Sequence, residues 1–140
     1  MKQKAKVLIE YQGNLLLLNP LGKEKRTLIG GTVDKGESVF QSVIREAGEE
    51  AGVQLDSAML TIAYRQLVTI NEKPVLFHCF PIRDIPFLFE LKEKHKFQAL
   101  DWIPTQDGIK LLKGVERIAA QRLYKKIIKN KTGRSYSIGA

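Results

Sequence analysis

Residues 31–53 read GTVDKGESVFQSVIREAGEEAGV, and the order of the rest of the chain follows from this stretch. Ser38 offers a hydroxyl to the free N–H groups that open a helix, and Gln41, three residues on, can complete a capping box. Gly52 supplies the left-handed residue at which many helices stop. The spacing predicts a helix over 39–51. At 100° per residue with Glu46 at zero, Glu49 falls at about −60° and Glu50 at about +40°, so the three carboxylates converge on one side. Phe40, Val43, Ile44, Ala47 and Ala51 fall between about +60° and +160°, a stripe that can anchor the helix in a core while its acids stay free.

Three carboxylates within a turn of one another repel, and a hard divalent cation resolves that repulsion. All-oxygen ligation with no neighbouring His or Cys suits magnesium or manganese better than zinc, and sites of this kind commonly share their metal with substrate phosphates. The plain alternative is an exposed acidic face paired with Arg45 and nearby lysines.

Upstream of the loop, residues 4–11 and 14–19 are apolar runs separated by Gln12-Gly13, which reads as a hairpin. Residues 20–25 form a polar loop, and residues 27–29 a short strand ending at Gly30-Gly31. Residues 32–37 carry too much glycine and charge for regular structure and read as a functional loop. Downstream, residues 60–70 and 74–82 are expected as long strands joined at Asn71-Glu72-Lys73, followed by a charged loop and a strand at 99–103. Residues 105–113 and 115–129 have helical spacing, with Ile118, Leu123 and Ile127 among the expected buried positions of the second. Such an order suggests an α/β fold with a mixed sheet covered on both faces, in one domain over 1–140 with a loose tail at 131–140.

The net charge is +8, unevenly spread. Residues 31–53 hold Asp34, Glu37, Glu46, Glu49 and Glu50 against Lys35 and Arg45, whereas residues 110–134 hold nine Lys or Arg against Glu116 alone. An acidic cluster within a basic chain suits a cation site that must draw in a polyanion; a solvated basic helix is the other reading. Cys79 is the only cysteine, which excludes an intrachain disulfide, and its apolar neighbours suggest a buried structural thiol. The longest aliphatic run, Leu15 to Leu18, cannot span a bilayer, and no signal-peptide core follows the Lys-rich start, so a cytoplasmic location with no membrane partner is expected.

Gly31, then Glu37 after five residues, then Arg45-Glu46-Ala47-Gly48-Glu49-Glu50-Ala51-Gly52-Val53 after seven more, resembles the full Nudix box. All seven of its fixed positions are present, and average composition would produce them at a given start roughly once in 10⁸. The resemblance implies a Nudix-type α/β/α sandwich and a pyrophosphohydrolase using Mg²⁺ or Mn²⁺. It implies that Glu49 and Glu50 bind metal, that Glu46 assists as ligand or base, and that the Gly31 carbonyl completes the ligand shell. Arg45 would orient the glutamates, and Glu37 would act from the loop as ligand or structural partner. Arg26, Gly30 and Gly31 are expected to face the substrate.

Many relatives place the general base on a loop shortly before a strand containing Trp; Glu93, nine residues before Trp102, fits that setting, with Glu90 behind it and an ordinary solvated loop as the alternative. His95 reads as a surface residue. Two departures stand out: Ile29 and Arg26 occupy positions where many members carry Pro and an aromatic residue, and Asp34 replaces a common Glu. The box recognises diphosphate and metal, not the attached group, so the expected substrate is a nucleoside diphosphate derivative such as a nucleoside triphosphate or dinucleoside polyphosphate. A nucleotide sugar or capped RNA end stays open, as does oligomeric state. The competing class is a catalytically silent regulator binding nucleotide or RNA through Lys125, Lys126, Lys129, Lys131 and Arg134. Only Tyr124 and Tyr136 interleave there, too few for a stacking platform.

Overall fold

The computed structural model describes the backbone of residues 1–132 and the side chains of residues 1–124. Six strands form one mixed sheet: β1 (Lys2–Tyr11), β2 (Asn14–Pro20), β3 (Ile29–Thr32), β4 (Tyr64–Ile70), β5 (Lys73–Arg83) and β6 (Phe97–Pro104). The order across it is β4-β5-β1-β2-β6, and β3 pairs with the first half of β1. β1 and β5 run parallel; all other pairings are antiparallel.

Helix α1 (Val39–Ala51) covers one face, and α2 (Thr105–Leu111) and α3 (Gly114–Thr132) cover the other. This is the expected α/β/α sandwich. Because both faces are covered, alternation along a strand sends side chains into two separate cores. Leu16 and Leu18 join Val7, Val43 and Ala47 under α1, whereas Leu15 and Leu17 join Ile109, Leu112 and Ala119 beneath α2 and α3. That explains why the leucine run 15–18 is buried throughout. Among the described residues no helix is long and apolar enough to cross a membrane.

Local signals placed most elements within two residues. The β1–β2 hairpin turns at Gln12 and Gly13, both with positive φ, as expected. The β4–β5 turn is the tighter Asn71-Glu72, again both left-handed, so Lys73 already belongs to β5. Two strand boundaries and one buried position differ from expectation. The glycine pair does not end the third strand but lies inside it, because Gly30 and Gly31 pair with Lys6 and Ala5 of β1. The fourth strand begins at Tyr64, since Asp56 caps a short 3₁₀ turn at Ser57–Met59 and Leu60 tucks into the core beyond it. Ile118 is 41% exposed; the buried stripe of α3 runs through Ala119, Ala120 and Leu123 instead. Small alanines there let the helix sit close on the sheet. Lys131 and Thr132 continue α3, and the rest of the expected tail, with the side chains of Ile127 and of the basic residues from Lys125 onward, lies outside the described residues.

Candidate active site

Helix α1 is fixed at both ends by its own sequence. The Ser38 side chain accepts from Gln41 N–H at 3.0 Å while the Gln41 side chain accepts from Ser38 N–H at 2.8 Å. At the other end Gly52, at φ +61°, returns its N–H to the carbonyls of Ala47 and Gly48. Val43, Ala47 and Ala51 are fully buried, and Phe40 and Ile44 partly so. The expected stripe is therefore the packed face.

The acids do not all stay free. Glu49 is exposed and Glu46 half-buried, but Glu50 is 6% exposed, a correction to the expectation of three solvated carboxylates. Its angular position, about 20° from Val43, places it at the edge of the packed stripe. Glu50 Oε1 accepts the N–H of Gly30 at 2.9 Å. Gly30 adopts φ +134°, and a Cβ there would collide with the Ala5 carbonyl, so only glycine brings this N–H to the carboxylate. At Gly31 an added Cβ would collide with Glu46 Oε2. Consecutive glycines of β3 thus receive consecutive turns of α1, one carboxylate to each.

Arg45 gathers the remaining acids. Its guanidinium bonds Glu46 Oε1 at 2.8 Å and Glu49 Oε1 at 3.0 Å through one nitrogen, and takes both oxygens of Glu37 at 2.8 and 3.1 Å. Asp34 adds an ion pair at 3.2 Å. Glu37 also accepts the Asp34 N–H, which closes the loop back on itself. The Arg45 hydrogen bonds, followed by that N–H, hold the Glu37 carboxyl down at about 2. Both its oxygens are engaged by Arg45, so in this structure Glu37 stands as the partner of that guanidinium.

Electrostatics separate the other two. Burial pushes Glu50 up to about 7, opposed by the Lys6 ammonium and the Gly30 N–H and reinforced by Glu46 and Glu93. Burial, then the adjoining Glu49 carboxylate, also raises Glu46 above the usual carboxylate range against the pull of Arg45. Among the described residues no three His, Cys, Asp or Glu side chains already form a metal cage. Arg45 occupies one oxygen each of Glu46 and Glu49, and Gly30 one of Glu50.

Glu93 is brought close enough to raise the proton affinity of Glu50. Its loop is tied to the end of α1 by Glu90 N–H to the Ala51 carbonyl at 2.8 Å and Lys92 N–H to the Glu50 carbonyl at 3.1 Å. Glu90 itself points outward to Lys92, and His95 is exposed. Arg26 is not brought to the carboxylates. Its backbone N–H bonds the Leu111 carbonyl and its guanidinium bonds Asp101 at 2.9 Å, and Asp101 stands opposite Leu17 on the face under α2 and α3. Cross-strand partners share a face, so the expected substrate contact is replaced by an ion pair on the other side of the sheet.

Sequence reasoning missed Lys6, a buried ammonium beside Gly30. The signal was the alternation Lys2-Lys4-Lys6 running into the apolar stretch of β1, which turns the last of the three into a core.

The family model for the NUDIX domain matches residues 4–125. No curated protein matches the chain. Among solved structures, a MutT NUDIX hydrolase from Burkholderia pseudomallei is 23% identical with a TM-score of 0.74, the match covering 86% of this chain and 95% of that one. A C. elegans Ap4A hydrolase in a binary complex is 24% identical with a TM-score of 0.73, over 93% of this chain and 99% of its own. The E. coli dihydroneopterin triphosphate pyrophosphohydrolase is 19% identical with a TM-score of 0.70, over 86% and 92%. With the loop, the helix and the family match in agreement, the chain belongs to the Nudix family of pyrophosphohydrolases.

Proposed function

We propose that this protein hydrolyses the pyrophosphate linkage of a nucleoside diphosphate derivative, a nucleoside triphosphate or dinucleoside polyphosphate, with Mg²⁺ or Mn²⁺ as cofactor. The observation that carries this is the seating of Glu50 and Glu46 on Gly30 and Gly31 while Arg45 holds Glu46 and Glu49 together. The donor set fits a hard divalent cation: it is all oxygen, and burial and neighbouring carboxylates push Glu46 and Glu50 towards protonation. Glu46, Glu49, Glu50 and the Gly31 carbonyl would hold the metal. When bound, it neutralises the diphosphate and lowers the pKa of a water that attacks phosphorus.

The residues around these ligands have separate tasks. Arg45 fixes the rotamers of Glu46 and Glu49, and Glu37 acts through Arg45. Glu93, whose loop is strapped to the end of α1, accepts the proton of the attacking water. Gly30 and Gly31 let backbone approach the carboxylates and the diphosphate where any side chain would intrude. Substrate choice is a separate matter: an Ap4A hydrolase and a dihydroneopterin triphosphate pyrophosphohydrolase share this fold, so the fold alone does not select the attached group.

A product-release assay that separates nucleotides, pyrophosphate and phosphate, run on purified protein against a panel of nucleoside diphosphate derivatives with and without Mg²⁺ or Mn²⁺, tests the proposal. Metal-dependent turnover of at least one substrate is expected, falling by about a hundredfold or more in Glu49→Gln and Glu50→Gln with the fold intact. Unchanged turnover in both variants would sink the mechanism. Salt-sensitive RNA binding without turnover would instead favour the silent regulator.

A further inference from the structure

Lys6 lies in the middle of β1 and is 8% exposed. Ala5, Val7 and Ile9 turn towards α1, so Lys6 and Leu8 turn to the face covered by α3. An ammonium buried there costs free energy unless each N–H finds an acceptor. Nζ donates to the Leu28 carbonyl at 3.2 Å and the Gly30 carbonyl at 3.1 Å, and pairs with Glu116 Oε2 at 3.5 Å. Glu116, the sole acid among residues 110–134, also accepts the Leu28 N–H at 2.8 Å through Oε1. Together the two side chains grip Leu28 and Gly30 from the far side of the sheet, while Gly30 gives its own N–H to Glu50 on the near side.

An apolar residue at position 6 would stabilise the sheet about as well as a buried ion pair, so the particular consequence of this pair is orientation. Gly30, with no side chain and φ +134°, has little of its own to fix its peptide planes. The Gly30 carbonyl belongs to the peptide that leads into Gly31, and holding it sets the direction of the next carbonyl.

We propose that Lys6 and Glu116 are positioning residues for the metal–diphosphate site, acting across the sheet by fixing the Gly30–Gly31 peptide and with it Glu50 and the Gly31 carbonyl. The effect on rate rests on the hydrolase reading above; the effect on the glycine backbone does not.

The test compares Lys6→Met and Glu116→Gln with Lys4→Met, a neighbouring lysine on the same face of β1 that feels the charges of Lys6 and Glu116 but bonds neither Leu28 nor Gly30. Mn²⁺ binding is followed by electron paramagnetic resonance without substrate, and amide hydrogen exchange is read at Gly30. In the two network variants Mn²⁺ affinity is expected to fall by about tenfold or more, Gly30 exchange to accelerate, and kcat to drop more than KM rises, with Lys4→Met at wild-type values. Wild-type Mn²⁺ affinity and wild-type Gly30 exchange in Lys6→Met would overturn the proposal. Should Lys6→Met fail to fold, Glu116→Gln decides on the same readouts, since it keeps an acceptor for the Leu28 N–H and replaces the charged acceptor facing Lys6 with a neutral NH2 group. Wild-type protein that turns over no pyrophosphate substrate would refute the hydrolase reading, and Gly30 exchange would still decide the positioning role.

Discussion

Arg45 shows how much one side chain organises here. It joins Asp34 and Glu37 of the loop to Glu46 and Glu49 of the helix, and five planar donors are needed for that many acceptors. A lysine could offer the charge but not the fork. His78 is a separate residue-scale case, away from the carboxylates. It is 2% exposed, its ring meets the Gln3 side chain at 2.7 Å, and Arg65 approaches its other nitrogen. Burial, then the Arg65 charge, lowers its pKa below the ordinary histidine value. The unfolded chain therefore takes up a proton here at a pH where the folded chain does not. Stability from this site is complete above about 6.5 and declines as pH falls through the lower folded value. Thermal melts between pH 7.5 and 5 should show a smaller acid loss in His78→Gln than in wild type; parallel curves would refute the assignment.

At the scale of elements, β3 and α1 meet through two adjacent glycines that do different work. In Gly30→Ala the added methyl meets backbone of β1 at a φ that L residues rarely adopt, so the strand pairing must yield. A loss of more than about 2 kcal/mol is expected. In Gly31→Ala the methyl meets only the end of the Glu46 side chain, which can swing aside. That variant should melt close to wild type and yet lose about a hundredfold in kcat, since in the proposed reaction a displaced Glu46 carboxylate is a misplaced ligand. Chemical denaturation alongside turnover separates the two; equal stability losses in both variants would contradict this division. The bounds of α1 itself, Val39–Ala51, were legible because Ser38, Gln41 and Gly52 act through bonds within a few residues. The boundary of β3 was not, because Gly30 and Gly31 are extended only by virtue of their partners on β1.

Across the whole molecule, the acidic cluster lies on the α1 face of a chain with net charge +8. A polyanionic substrate should be drawn in by the surrounding field, and salt should screen that attraction over about 10 Å at 0.1 M. We expect kcat/KM to fall severalfold between low and physiological ionic strength with kcat nearly constant; a flat profile in steady-state kinetics would rule out steering. The division of labour between sequence and tertiary structure returns to residues 31–53. By itself the sequence determined the helix, its caps, its packed stripe and the spacing of loop and acids that marks the family, since each depends on neighbours along the chain or on one helical turn. Only the tertiary structure decided that Glu50 is buried on Gly30, that Glu37 serves Arg45, that Arg26 turns to the opposite face, and that Lys6 and Glu116 reach the glycines from behind. Those outcomes depend on which strands pair and in what register, a choice made by burying two cores at once on the two faces of one sheet.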